Sequence, residues 1–511
     1  MIPTLLALAL AVVLVALHLY NKNGTNLPPG PRGLPLLGNI FQLDISRPWR
    51  TFARWKHEYG PMVYINVAGQ PIIILNSKTA TEDLLDKRSA KYSDRPRFVV
   101  AGEYLTGDMD FPIIRYGDRW RKMRRASESA LGLKTVTNFH EKQADECVLL
   151  VHGILNQPRE WKYHTHRTAA SFMLSITYSL PAIQSPDYPA LEFMNQFIDR
   201  VGSAMLPGTN WIDGLPFLDK WIPDSMAKWR VKAREDFQSY SGMFEKLFGE
   251  IKDKFIKDME QGSNFCVTLV ETEKKHRMSD LECSWLAGIL YAAGQETSTT
   301  ALHWFLFSML IFPEVQRRAQ DELDRVVGRA RLPTLSDMTH LPYIQAIVKE
   351  ILRWKPPTPI GVPHAAVEDD YYDGHFIPKG TILIPNVLSL NRDPEIYGPD
   401  AGQFHPERHL DEKGELEDPK SDGHFTYGFG YRICVGRHLA NNFLFMAFAN
   451  ILWALRIEPA KDSVVPDPQS EVSVNGVFMR PPDFDFVATT RFEDVDVLIQ
   501  QARDEVLREN I

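Results

Sequence analysis

The chain has 511 residues, is 44% hydrophobic and 24% charged, and carries a net charge of −8. This is an ordinary globular balance at the length of two or more average domains, and the acidic sign gives no basis for nucleic-acid binding. Four scattered cysteines, Cys147, Cys266, Cys283 and Cys434, make no disulfide framework and fit a reduced, cytosol-facing compartment.

Residues Ile2 to Tyr20 are almost wholly apolar, with His18 the only possible charge near neutral pH. At ~1.5 Å per residue, about 19 residues span a hydrocarbon core. No positive stretch precedes the run and no clear small-residue cleavage site follows it, so a signal anchor is expected rather than a cleaved signal. Lys22 and Arg32 follow the run and keep the bulk of the chain cytosolic. In that orientation the Asn23-Gly24-Thr25 sequon stays bare. Residues 21–39 read as a linker or, just after an anchor, as a hinge. Its core, Leu27-Pro28-Pro29-Gly30-Pro31-Arg32-Gly33-Leu34-Pro35, is too rich in proline for a helix and makes a stiff extended strap.

Arg47 to Tyr59 reads as helix. Met62–Val67 and Ile72–Leu75 read as a hairpin around Ala68-Gly69-Gln70, and Ser77 starts another helix. Arg95 to Tyr116 has no firm period and is expected to be a long loop. Asp118 to Leu131 is helical, with Arg119, Arg121, Lys122, Arg124 and Arg125 along it. Trp120 and Arg124, four apart, share a face. Read alone, the cations are a solvated basic surface; Arg121, Lys122 and Arg125 could equally meet an acidic partner. Tyr188 to Glu260 is helical apart from a break near Pro207 to Pro223 that is rich in tryptophan and aliphatic residues. That break is either core filling or a roof loop touching a membrane.

Ser279-Asp280-Leu281-Glu282 is a capping box and opens a long, apolar, buried helix ended by Pro313. Gln295 and Glu296 interrupt it, so it does not span a membrane. In its middle lies Ala293-Gly294-Gln295-Glu296-Thr297-Ser298. Glycine is a poor helix former, and the Thr297 hydroxyl can bond back to the Ala293 carbonyl. Together they would bend the helix and open a polar notch in an apolar wall. Leu341 to Lys355 is a further helix, on which Glu350 and Arg353 meet across one turn. Last comes Tyr427-Gly428-Phe429-Gly430-Tyr431-Arg432-Ile433-Cys434-Val435-Gly436, a cysteine in a glycine loop before a helix from Arg437 to Leu455. Helix N–H groups and the dipole at that entrance would favour a thiolate, moving its pKa from about 8.5 toward roughly 3.5–7.5.

This loop resembles the F-x-x-G-x-R-x-C-x-G pattern of the cytochrome P450 family, with Tyr427 in place of the phenylalanine. Ala293–Ser298 is similar to the family's A-G-x-[DE]-T-[TS], Glu350–Arg353 to its E-x-x-R, and Pro406-Glu407-Arg408 to its P-E-R segment, all in the family's order. The resemblance runs from the hinge to a turn at Val474–Phe478. It implies a mainly α cytochrome P450 fold: a helical catalytic domain over residues 40–511 with a small β region, behind a transmembrane anchor at residues 1–20. It also implies haem b with Cys434 as the iron's thiolate ligand, and Trp120, Arg124, His364 and Arg432 on the propionates. Thr297 and Glu296 would hold a water and deliver protons. Arg408 would bring a second guanidinium to Glu350.

The implied reaction inserts one oxygen atom from O₂ into an apolar substrate, a terpenoid, steroid or polycyclic aromatic, in fungal secondary or xenobiotic metabolism. Leu286, Ala287, Leu290, Ala293, Val362 and Val477 suggest the apolar pocket. Electrons would come from NADPH through a separate cytochrome P450 reductase, with cytochrome b5 as a second donor, at the endoplasmic reticulum membrane. The alternatives are a haem-thiolate isomerase or dehydratase that needs no O₂, and a non-enzymatic haem sensor or carrier.

Overall fold

Helix starts follow the capping chemistry written in the chain. Ser77 accepts the N–H of Ala80 at 3.3 Å and opens a short helix. At Ser279 both halves of the capping box form: its hydroxyl accepts the Glu282 N–H at 3.2 Å, and the Glu282 carboxylate accepts the Ser279 N–H at 2.9 Å. The structure is a computed structural model and describes residues 26–185, 188–205, 209–214, 216–259, 262–461, 463–474 and 477–509. The expected anchor at residues 1–20, the Asn23 sequon and residues 475–476 of the expected C-terminal turn lie outside the described residues. Among the described residues no helix is long and apolar enough to cross a membrane.

Helices dominate, as expected. The long ones are α1 (Pro48–Tyr59), α2 (Asp118–Leu131), α3 (His140–Asn156), α4 (Trp161–Tyr178), α5 (Pro189–Met205), α6 (Lys228–Ile256), α7 (Asp280–Ile311), α8 (Pro313–Val326), α9 (Pro342–Trp354), α10 (Arg437–Ala454) and α11 (Val495–Glu509). The core lies between α7 and its neighbours. Phe305 of α7 stacks on Phe448 of α10 with ring centres 3.8 Å apart, and Phe172 of α4 stacks on Phe443 of α10 at 4.9 Å. Aromatic contacts of this kind add to the area that they bury, and they fix α10 against the C-terminal part of α7 and against α4.

Among the described residues the β region is one four-stranded sheet with three two-stranded ones, which include the Asp370–Ile377 pair. β1 (Met62–Val67) pairs antiparallel with β2 (Gln70–Leu75), and β2 pairs parallel with β4 (Ile382–Pro385), which also pairs antiparallel with β3 (His364–Ala365). The hairpin turn is Ala68-Gly69, both with positive φ, and Gln70 pairs with Val67 instead of lying in the turn. Two positive-φ residues are what a twisted two-residue hairpin requires. The expected long loop at 95–116 contains a wide-pitched helix, Val99–Leu105. A helix closed at i+5 carries no 3.6-residue apolar period, so the sequence pattern hides it. The Asp213 carboxylate holds its start, accepting the N–H groups of Val99 and Val100 at 2.7 and 3.3 Å.

Candidate active site

A cavity of about 320 Å³ lies between α7 and the segment that leads into α10. One wall is the cysteine loop. Gly430, at positive φ, lies where a Cβ would come 2.1 Å from the Leu85 carbonyl oxygen, so the loop sits against residues 85–89 only as glycine. Cys434 donates its N–H to the Tyr427 carbonyl at 2.8 Å. Its sulfur faces the open cavity and receives the Gly436 N–H.

Burial pushes the Cys434 thiol above its ordinary value, and the Gly436 N–H, Arg124 and Arg437 only partly offset this. The helix begins at Arg437, so a single backbone N–H, not a full turn of dipoles, reaches the sulfur. An iron bound at this sulfur would stabilise its anion.

Opposite stands α7. Ala293, Gly294, Thr297 and Ser298 face the cavity, and the Thr297 hydroxyl donates to the Ala293 carbonyl at 2.8 Å, as its spacing predicts. Glu296 does not line the cavity. Its carboxylate is ion-paired with Arg480 of the Val472–Arg480 hairpin. Leu286, Leu290, Ala293 and Val362 line the wall as expected, with Phe111, Pro112 and Ile289 beside them. Ala287 and Val477 do not.

The rim is basic. Trp120, Arg124, His364 and Arg432 all line the cavity. Arg124 pairs with Glu128 at 2.6 Å. Arg432 lies over the Trp120 ring at 4.5 Å and donates only to carbonyls, of Ser93 at 2.9 Å and Ile114 at 2.8 Å. Burial lowers its pKa to about 9. His364 donates from Nδ1 to the Tyr92 carbonyl at 2.7 Å, and burial beside Arg95 holds its ring well below the ordinary histidine value.

Arg95 is a rim residue that the sequence reading passed over inside its supposed loop. It is buried and donates to the carbonyls of Pro112, Val362 and Pro363, each at 2.8 Å. Burial and the neighbouring Arg432 weaken its hold on its proton. Among the described residues neither Arg95 nor Arg432 has a carboxylate hydrogen-bonded to it; the nearby Asp94 is paired with Arg115. Buried cations normally have an anion at hand, so this rim fits a flat ligand that carries carboxylates. The residues thus fit haem: a sulfur on one wall, a hydroxyl notch on the other, and unbalanced cations at the edge.

Behind the site, α9 is locked to the loop ahead of the cysteine. Glu350 accepts two bonds from Arg353, at 2.6 and 2.7 Å, and one from Arg408 at 3.1 Å, the guanidinium pair that the motifs imply. It also accepts from the His405 N–H at 2.7 Å and from His409 Nε2 at 3.0 Å. Burial pushes this carboxyl up, but the bonds from Arg353 and His409 outweigh it and hold it at about 2.

A thiol-walled cavity with a basic rim, enclosed by helices in this order, defines a haem-binding class of protein. The cytochrome P450 family model matches residues 28–487, and the chain belongs to that family. Two cytochrome P450 monooxygenases of Armillaria gallica are 47% and 43% identical, over 94% and 98% of this chain and 92% and 97% of their own lengths. Another, of Amanita muscaria, is 36% identical over 98% of this chain and 97% of its own. The chain is thus an oxidoreductase of the monooxygenase kind, using haem with a cysteine thiolate and electrons supplied by a reductase.

Proposed function

We propose that this enzyme places one oxygen atom on an uncharged, apolar small molecule held between Thr297 and the Phe111–Pro112 wall. The observation that carries this is the lining of the cavity away from the rim, where Phe111, Leu286, Ile289, Leu290, Ala293 and Val362 offer no charge to a substrate. Such a surface selects by shape and apolar area, which suits a terpenoid, a steroid or a polycyclic aromatic. A place in fungal secondary or xenobiotic metabolism is consistent with the fungal relatives.

Each residue has a task in this reading. Cys434 is the iron's ligand, aimed by the Tyr427 carbonyl and the Gly436 N–H. Arg95, Arg124, Arg432, His364 and Trp120 hold the propionate edge. Haem, when bound, supplies the site at which O₂ is reduced and one oxygen atom is transferred. The Thr297 hydroxyl orients a water and passes a proton toward the notch. Glu296, turned toward Arg480, refills that proton from behind α7.

Electrons arrive from NADPH through a cytochrome P450 reductase, with cytochrome b5 as a second donor. A depression of about 610 Å³ suits the docking of an acidic donor. It is lined by Arg121, Arg125, Arg437 and His438 and reaches the cysteine loop from outside. The apolar residues 1–20 anchor the chain at the endoplasmic reticulum membrane with the catalytic domain in the cytosol.

The test is spectroscopic. The reduced protein under carbon monoxide is expected to give the red-shifted Soret band of a thiolate-bound haem, and Cys434→Ser to lose it. A screen of apolar compounds for a haem spectral shift, then product analysis with NADPH and reductase, identifies the substrate. A normal band in Cys434→Ser overturns the ligand; shifts produced only by charged compounds overturn the substrate class.

A further inference from the structure

The cysteine loop departs from its family pattern at Tyr427, which stands where phenylalanine is usual and adds one hydroxyl. That hydroxyl is not idle. Tyr427 Oη donates to Asn441 Oδ1 on α10 at 2.6 Å, and Asn441 Nδ2 turns back toward Asp422 at 3.4 Å.

The placement matters because of what else Tyr427 and α10 hold. The Tyr427 carbonyl receives the Cys434 N–H at 2.8 Å. The Cys434 sulfur receives the N–H of Gly436, the residue that caps α10. The two bonds that aim the cysteine therefore have their far ends on Tyr427 and on the start of α10. The Tyr427–Asn441 bond joins those two ends directly and closes a ring of contacts around Cys434. A phenylalanine would fill the same space and leave the ring open.

We infer that Tyr427 and Asn441 are positioning residues for the thiolate: their bond fixes the N–H···S geometry at Cys434 and so the electron density that the sulfur passes to the iron. This rests on Cys434 being the ligand, as proposed above. Hydrogen bonds to a ligating sulfur withdraw charge from it and raise the reduction potential of the metal that it binds. With the tether cut, the Gly436 bond loosens, the sulfur keeps more charge, and the oxidised iron is favoured.

The experiment compares wild type, Tyr427→Phe, Asn441→Leu and the double variant as holoenzymes. Tyr427→Phe restores the residue that the family pattern carries, so the fold tolerates it. Wild type and both single variants are expected to keep the thiolate Soret band under carbon monoxide. If wild type lacks that band, the ligand assignment fails, and that is distinct from failure of the tether. Given the band, each single variant is expected to have a lower reduction potential than wild type. The double variant is expected to shift no further than either single one, because both remove the same bond. Hydrogen exchange of the 427–436 segment is expected to quicken in all three. Unchanged potentials in the single variants overturn the inference. Single shifts that simply add in the double variant overturn it too, since two residues acting separately are not a tether.

Discussion

Thr297 is the residue whose role separates most cleanly from binding. It lies across the cavity from Cys434, and its hydroxyl is bonded to the Ala293 carbonyl. Thr297→Ala is expected to keep haem content and the thiolate band but to waste electrons, with less product and more free peroxide per NADPH oxidised. Positioned proton transfer is typically worth about 10²–10⁴-fold, so product should fall well before NADPH oxidation does. Equal coupling in mutant and wild type would make Thr297 a purely structural helix residue. Lys355 is a second case, with no part in the reaction. It is fully buried, its Nζ lacks a hydrogen-bond partner, and it lies over Trp304 at 4.5 Å and Trp354 at 5.0 Å, with Glu471 3.7 Å away. Burial, helped by Arg392, lowers its pKa from 10.5 to about 7. Between those values the unfolded chain holds the proton that the fold gives up, so this lysine destabilises most at and below neutral pH, and the cost fades as pH rises toward 10.5. Lys355→Met is expected to raise Tm at pH 7 by more than at pH 10. A lower Tm at pH 7 would mean that the two tryptophan faces outweigh the lost hydration. At this scale the chain was legible where a side chain bonds its own neighbourhood: Thr297 reaches four residues back, and Cys434 sits in a glycine loop. Arg95, Glu296 and Lys355 were not, because their surroundings come from segments far along the chain.

Elements were legible where a local signal starts or stops them. The capping box at Ser279, the stop at Pro313, the helix expected at Leu341 to Lys355 and the apolar runs of α7 and α10 all form at the expected places. The helix at Val99–Leu105 was missed because its hydrogen-bond step is unusual and its N-terminal partner, Asp213, lies over a hundred residues away. The same limit applies to α9. The E-x-x-R spacing gave the Glu350–Arg353 pair, and the P-E-R segment brought Arg408, but His409 and the His405 N–H were visible only in space. These contacts bind α9 to the segment that runs into the cysteine loop, so they bear on whether the haem cavity forms. Breaking a buried ion pair costs about 3–5 kcal/mol, against a total stability of roughly 5–15 kcal/mol. Glu350→Ala, which leaves Arg353 with no carboxylate and Arg408 with Asp400 alone, is expected to yield little haem-loaded protein, read as Soret absorbance per protein. Ample holoprotein would show that the other contacts of α9 suffice. The wild-type pair also has an acid limit. Its carboxyl is depressed from 4.5 to about 2, so its stabilisation is whole above pH 4.5 and is lost as pH falls from there toward 2. Haem release on acidification is expected to begin in that window.

At the scale of the whole molecule, the chain is tied to its small β region before the first long helix begins. Phe376 donates its N–H to the Asn26 carbonyl at 2.8 Å, Tyr64 to Pro29 at 2.9 Å, and Asn39 to the Asn66 carbonyl at 2.6 Å. A Cβ at Gly30 would lie 1.9 Å from the Tyr64 carbonyl oxygen, so the proline-rich strap lies flush against β1. Whatever holds residues 1–22 therefore holds the sheet, and through the sheet the catalytic body. Just beyond the strap, Leu36, Leu37 and Ile45 are exposed and Phe41 is 77% exposed; farther along the chain Trp221 is 82% exposed. Single exposed apolar side chains need no explanation, but four within ten residues of one another, next to the strap, would add apolar area to a lipid surface on which the proposed anchor holds the chain. Two contributions are expected, a large one from residues 1–22 and a smaller one from this cluster. Deleting residues 1–22 should release most of the protein from microsomal membranes into the supernatant, with its haem spectrum unchanged. Adding Phe41→Ser and Trp221→Ser to the truncated protein should remove the remainder, measured by sedimentation with lipid vesicles. If the truncated protein stays fully bound, the anchor lies elsewhere. If it is fully released before the serines are added, the exposed apolar residues carry no lipid contact.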